Sequence, residues 1–161
     1  MQNKTPIYCW DSNIFIAWIK DEKRSPGDMD GVLEIAERVQ RNQAILITSE
    51  MLNVELVPCK MPDGAMEKID RFFKRRNTHR LPVDSRITML AQSIRNVHPK
   101  VTPADAVYLA TAIQYKVDQF HTFDDGKSGG NSLLALNGNV AGNPLVICKP
   151  PFKQMRFPGI P

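Results

Sequence analysis

Cysteine is scarce in this chain: three thiols, Cys9, Cys59 and Cys148, stand far apart along 161 residues. An odd and scattered set makes no disulfide framework. Cys9 and Cys148 lie in apolar runs and read as buried, reduced thiols of a reducing compartment. Histidine is equally thin, with His79, His98 and His121 each isolated, so no Cys/His zinc spacing exists. No apolar run approaches the ~20 residues of a membrane-spanning helix, and the first residues carry no secretory leader pattern; the expectation is a cytoplasmic protein with no membrane partner. Also missing are internal repeats, a P-loop, a GxGxxG fingerprint and a nucleophile elbow, which removes the chemistries those motifs carry.

What is present is ordinary for a globular chain: 42% hydrophobic and 24% charged residues, enough for one domain with a real core. The formal net charge of +4 and the isoelectric point near 9.1 are compatible with a polyanionic partner. Short apolar runs alternate with helical patterns. Residues 7–10, 44–47, 118–123 and 144–148 read as buried strands, and 80–83 as a short edge strand. Helical spacing marks 32–40, 66–76 and 85–97, a stretch carrying Ile14, Phe15 and Trp18, and a helix over 50–57 that Pro58 ends. Residues 127–143, rich in Gly and Asn, show one helical turn near Leu133–Leu136, and the proline-rich tail is expected to be extended. Strands alternating with helices predict an α/β fold: a three-layer α/β/α sandwich around a central, mostly parallel sheet.

Four acids stand at informative places. Asp11 follows the first strand, where a parallel sheet binds ligands, although capping the next helix explains it equally well. Glu55 lies on the apolar side of its helix, for which a salt bridge is the alternative reading. Asp105 shares a helix face with Tyr108, Leu109 and Ala112; Thr102 and Pro103 start that helix, and Thr102-x-x-Asp105 also matches a capping box. Asp124 ends a later strand, within what could be a simple Asp-Gly turn. Right-handed crossovers put the carboxyl ends of parallel strands on one edge, so these acids are expected to converge. Converging carboxylates raise one another's pKa unless a cation intervenes, and the hard-oxygen donor set suits Mg²⁺ or Mn²⁺. Such ions serve phosphodiester hydrolysis. With no His base or Cys nucleophile at these points, metal-activated water is the expected nucleophile.

At Tyr8 to Asn13, Thr48-Ser49 through Leu56, Pro103 to Ala106 with the run to Ala112, and His121 to Asp124, the chain resembles the PIN-domain ribonucleases. It is most similar to the toxins of VapBC-type toxin–antitoxin pairs. The resemblance covers about residues 6–148 and implies a PIN-like nuclease domain over 1–148, followed by a tail over 149–161. It also implies a Mg²⁺/Mn²⁺-dependent endoribonuclease with Asp11, Glu55, Asp105 and Asp124 around the metal, acting on single-stranded RNA. Asn13 and Thr122 would support the acids or contact water, and Asp125 is an extra acid beside Asp124. A homodimer and a small antitoxin partner that offers an arginine to the carboxylates belong to the same expectation. The basic side chains Lys68, Arg71, Lys74, Arg75 and Arg76 would track phosphates, against the simpler reading of a solvated face. A PIN-like module that binds RNA or protein without turnover is the alternative, as is cleavage of structured RNA or DNA. The long 127–143 segment and the tail depart from compact toxins.

Overall fold

The first strand, β1 (Ile7–Trp10), is an unbroken apolar run that the fold buries on both faces. It lies at the centre of a five-stranded sheet with β2 (Ile45–Ser49), β3 (Thr78–Leu81), β4 (Gln119–His121) and β5 (Ile147–Cys148). The order is β3-β2-β1-β4-β5, and each pairing is parallel, with Cys9 beside Ile47 on one flank and Phe120 on the other. The computed structural model describes residues 4–127 and 132–153.

Helices cover both faces. One core gathers α1 (Ser12–Lys20), α2 (Asp28–Gln40) and α4 (Ala65–Phe73) around Trp10, Phe15, Trp18 and Phe72, whose rings pack edge-on or stacked. The other gathers α5 (Ser85–Val97) and α6 (Pro103–Gln114) over Ile47, Phe120 and Ile147. The result is the expected three-layer α/β/α sandwich with a parallel sheet.

Several elements differ in extent from their sequence expectation: β4 keeps only Gln119–His121 of 118–123, β5 only Ile147–Cys148 of 144–148, and α4 ends at Phe73 instead of running to Arg76. The helix expected over 50–57 shrinks to one turn, α3 (Leu52–Glu55), followed by a 3₁₀ turn at Pro58–Lys60. Pro58 disfavours a helical residue before it, and Leu56 and Val57 are extended, with ψ of 102° and 105°. The edge strand expected at 80–83 starts earlier, at Thr78. Asn77 explains the shift: its side-chain amide donates to Val39 O and Ala44 O at 2.7 Å each, tying the entry of β3 to the entry of β2. Within 127–143, the expected helical turn is a 3₁₀ turn at Leu134–Leu136; residues 128–131 lie outside the described part. All three cysteines are free; Cys9 is buried, as expected, whereas Cys148 is only partly buried and Cys59 is exposed. No helix among the described residues is long and apolar enough to cross a membrane.

After β5 the chain is laid along α2. Lys149 Nζ meets Asp28 at 3.1 Å, and the Lys153 amide donates to Glu34 at 3.0 Å. Between them Pro150 crosses Gly31 so closely that a Cβ there would stand 2.0 Å from the Pro150 carbonyl oxygen. The rest of the tail, 154–161, lies outside the described residues. Gly31→Ala is therefore expected to unseat residues 149–153, since overpacking outweighs the gain in helix propensity. Amide exchange at Lys153 should accelerate and the melting midpoint should fall by a few degrees. Unchanged protection of the Lys153 amide would refute this close approach.

Candidate functional site at the carboxyl edge of the sheet

Asp11 is the residue after β1 and the N-cap of α1, so the end of a strand and the start of a helix fix it together. It is 2% exposed. One carboxylate oxygen, Oδ1, accepts from the Ser12 amide at 2.7 Å; the other, Oδ2, accepts from the Thr122 hydroxyl at 2.8 Å. Thr122 follows β4, the neighbouring strand, and its Oγ1 also accepts from the Asp124 amide at 3.0 Å and from Asn13 Nδ2 at 3.2 Å. Asn13 Oδ1 in turn accepts from the Phe123 amide at 3.2 Å. Asn13 and Thr122 thus knit the end of β4 to the start of α1, and Thr122 holds Asp11 directly.

The other acids reach this edge from separate elements. Asp105 stands in the first turn of α6, where Thr102 caps its amide at 3.1 Å; the capping reading of this segment holds as far as the backbone is concerned. Glu55 ends the single turn of α3, and its Oε2 is buried without a hydrogen-bond partner. Asp124 turns the loop after β4, with Oδ1 accepting from the Gly126 amide at 3.1 Å and Oδ2 from the Leu133 amide at 3.3 Å. The turn reading is therefore also real, and Asp124 holds its loop as well as facing the other acids. None of the four pairs with an Arg or Lys among the described residues, so the salt-bridge reading of Glu55 finds no cation.

Electrostatics ties the four together. Burial, then the charges of Asp105 and Glu55, push the Asp11 carboxyl from 3.8 up to about 7, against the pull of its Thr122 and Ser12 hydrogen bonds. Asp105 is also pushed up, first by burial and then by Asp124 and Glu55, while a hydrogen bond from Thr102 opposes the rise. Asp11 and Asp105 thus each feel others of the set, and none of the four forms an ion pair among the described residues.

Two neighbours were not singled out as site residues from the sequence. Tyr108, one helical turn after Asp105, is fully buried, and its hydroxyl faces Glu55 and Ser12 without closing a hydrogen bond to either. Its shared face with Asp105 was the available signal. Ser12 contributes its amide to Asp11 and brings its hydroxyl to 3.5 Å from the same oxygen. His121 lies close in sequence but takes no part as a base. Its Nδ1 accepts from Trp10 Nε1 at 3.1 Å, its Nε2 meets Gln119 Oε1 at 2.9 Å, and burial drives its pKa down to about 3.

The remaining candidates fall elsewhere. Asp125 turns outward to Lys127, 3.3 Å from its Nζ, and feels that side chain rather than the four acids. Lys68 and Arg71 on α4 and Arg75 just after it gather around Trp18, while Lys74 and Arg76 are exposed.

These residues fit a hard divalent cation in kind: the donors are all carboxylate oxygens, they repel one another, and the buried Glu55 Oε2 lacks a partner. As the side chains stand, no three His, Cys, Asp or Glu residues among those described are grouped to ligate one ion. Uncompensated repulsion spreads carboxylates. An ion that keeps several waters and takes one or two carboxylates directly asks for no tighter grouping.

Comparison with known proteins agrees with this frame. The model of the PIN domain family matches residues 8–127. Among solved structures, VapBC2 from Rickettsia felis, bound to a DNA fragment from its promoter, superposes with a TM-score of 0.60 at 15% identity, covering 88% of this chain and 96% of that one. FitAcB from Neisseria gonorrhoeae superposes with a TM-score of 0.51 at 18% identity, covering 89% and 97%. At such identities these likenesses concern the fold. No curated protein sequence matches the chain.

Two measurements probe the site's electrostatics. Asp11 titrates near 7 when folded and near 3.8 when unfolded, so its favourable share of stability is complete below pH 4 and is lost as pH rises through 7. That loss is on the order of 4 kcal/mol. Asp11→Asn should remove it: in chelator at pH 8 the variant should melt above the parent, with the gap closing towards pH 4. No gain at pH 8 would show that Asp11 is compensated. Tyr108→Phe deletes an unpaired buried hydroxyl and should be neutral or stabilising by about 1 kcal/mol; a clear loss of stability would mean that the hydroxyl is bonded after all.

Proposed function

The chain belongs to the PIN domain family, and from that membership we propose that it is a divalent-metal-dependent endoribonuclease acting on single-stranded RNA. The observation that carries this reading is the mutual repulsion of acids delivered by separate elements, with Asp11 buried and no ion pair to it among the described residues. Mg²⁺ or Mn²⁺ would be held by Asp11, Glu55, Asp105 and Asp124. When bound, such an ion supplies a Lewis acid for a phosphoryl oxygen and makes water acidic enough to attack at neutral pH.

The chain's own residues supply order. Thr122 and the Ser12 amide hold the two oxygens of Asp11 in fixed directions, and Asn13 holds Thr122. The first turn of α6 fixes Asp105, and the closed loop after β4 fixes Asp124. Rigid placement matters because metal-assisted displacement depends on geometry at the reacting atoms.

Fold likeness to VapBC2 and FitAcB supports a narrower reading, in which the chain is the toxin of a toxin–antitoxin pair; a homodimer belongs to that reading through the family resemblance alone. A small antitoxin would then cover the acidic edge with an extended segment and offer an arginine to the carboxylates. A binding module without turnover is the competing reading.

Asp105→Asn should abolish Mn²⁺-dependent cleavage of single-stranded RNA, by at least a hundredfold, with the circular dichroism spectrum and melting behaviour retained. Full activity in that variant would overturn the nuclease assignment. Mn²⁺ titration calorimetry beside the cleavage assay separates the competing module, which would bind RNA tightly and cut nothing at any metal concentration. A panel of single-stranded, structured and DNA substrates of matched length tests the substrate class.

A further inference from the structure

The densest positive charge is not at the acidic edge. Phe72 to Arg75 runs straight into β3, where Thr78 Oγ1 donates to Phe72 O at 2.8 Å, and Gln40 leads through a short turn into β2. The last turns of α2 and α4 therefore lie at the edge where the strands begin. Asp11 and Asp124 follow the ends of strands, on the opposite edge. A strand of four or five residues separates the two edges, about 15 Å. Trp18, near the end of α1, is seven residues and about 10 Å along that helix from Asp11.

At this second place is a cavity of about 210 Å³ lined by Trp18, Gln40, Lys68, Arg71, Phe72 and Arg75. Its walls carry three cations and no acid. Lys68 is held in position, its Nζ 3.3 Å from Trp18 O and 4.3 Å from the centre of the indole ring. Arg71 and Arg75 are exposed and form no ion pair among the described residues. Other arginines of the chain do find acids, such as Arg24 with Glu22, Arg41 with Glu37 and Arg80 with Asp70. Cations near the end of α4 offset its dipole, but one suffices for that. Lys68 and Arg71 lie one turn apart on α4, and Arg75 follows in the turn just beyond its end; the three line one cavity beside Trp18 and Phe72. An apolar floor limits the screening of charges above it, and a bidentate guanidinium suits a phosphate.

We infer that this cavity is a second phosphate-binding site, separate from the carboxylates, which holds the backbone of the RNA strand a few nucleotides from the point of cleavage. The inference rests on the RNA reading above and adds where the flanking strand is gripped. The strand would pass from the acidic edge along α1 to the cations of this cavity. The acids repel phosphates unless a cation is bound, so affinity for RNA would come largely from this remote cavity.

The test is RNA binding with metal removed. Fluorescence anisotropy in EDTA would compare the full-length parent with Arg71→Ala/Arg75→Ala, using labelled single-stranded RNA of about twelve nucleotides. The double variant is expected to bind at least tenfold more weakly. Its log–log salt slope should be shallower by about 1.4, the share of two phosphates on a single strand. Arg71→Lys/Arg75→Lys should keep the slope. In Mn²⁺, the double alanine variant should show a raised KM and an unchanged kcat on the long substrate, and parental behaviour on a dinucleotide too short to span both places. Equal affinity and slope in parent and double alanine variant, or no binding by either, would overturn the site. Arginine-dependent binding without any cleavage by the parent would overturn the nuclease reading alone; cleavage with binding indifferent to the arginines would overturn this site alone.

Discussion

Carboxylates gathered at one edge of a sheet repel one another, and burying Asp11 there makes the repulsion costly. The protein tolerates it through a hydrogen bond. The Thr122 hydroxyl donates to Asp11 from the neighbouring strand, while the Asp124 amide and the Asn13 side chain both donate to that hydroxyl's oxygen. The backbone ladder sets the distance between β1 and β4 up to the Asp11 amide, which donates to His121 O at 3.0 Å, and this one small side chain sets the direction in which Asp11 points. Capping and site geometry are the same contacts here: the Ser12 amide that starts α1 also fixes Asp11, and the Thr102 cap that starts α6 also fixes Asp105.

The molecule divides its charge by edge. Asp11 and Asp124 follow strand ends at one edge, and Arg71 and Arg75, at and just beyond the end of α4, lie at the other with Lys68 behind them. This division follows from a parallel sheet, in which helices return antiparallel to the strands and present their starts to one edge and their ends to the other. Asp105 in the first turn of α6 and Arg71 in the last turn of α4 also suit their helix dipoles.

Much of the frame was legible in the sequence because it is carried by local patterns. The apolar run of residues 7–10 and the helical spacing of 85–97 survive intact, and the positions of Asp11, Asp105 and Asp124 follow from strand ends and a helix start. The single turn of α3 was not legible in full: hydrophobic spacing continued to Val57, but Pro58 acts backwards on the residues before it. The early start of β3 depends on Asn77 reaching Val39 and Ala44, a tertiary contact that no local pattern encodes. The same holds for Tyr108. Its face was visible, but its hydroxyl's place opposite Glu55 depends on how α3 and α6 meet. Nor does the density of cations on α4 say which edge of the sheet they occupy; that follows only once the order of strands is known.

The strand order has a further consequence for the chain as it is made. β1 emerges first and ends in the middle of the sheet, yet one of its two neighbours, β4, lies 111 residues downstream through the bond from Thr122 to Asp11. Contacts at such separation form late, after the local ones, and a nascent chain folds from its beginning. Once Asp105 is made, Asp11, Glu55 and Asp105 are all in the chain, but Thr122, which orients Asp11, is not. Fragments that stop before β4 therefore lack an assembled site.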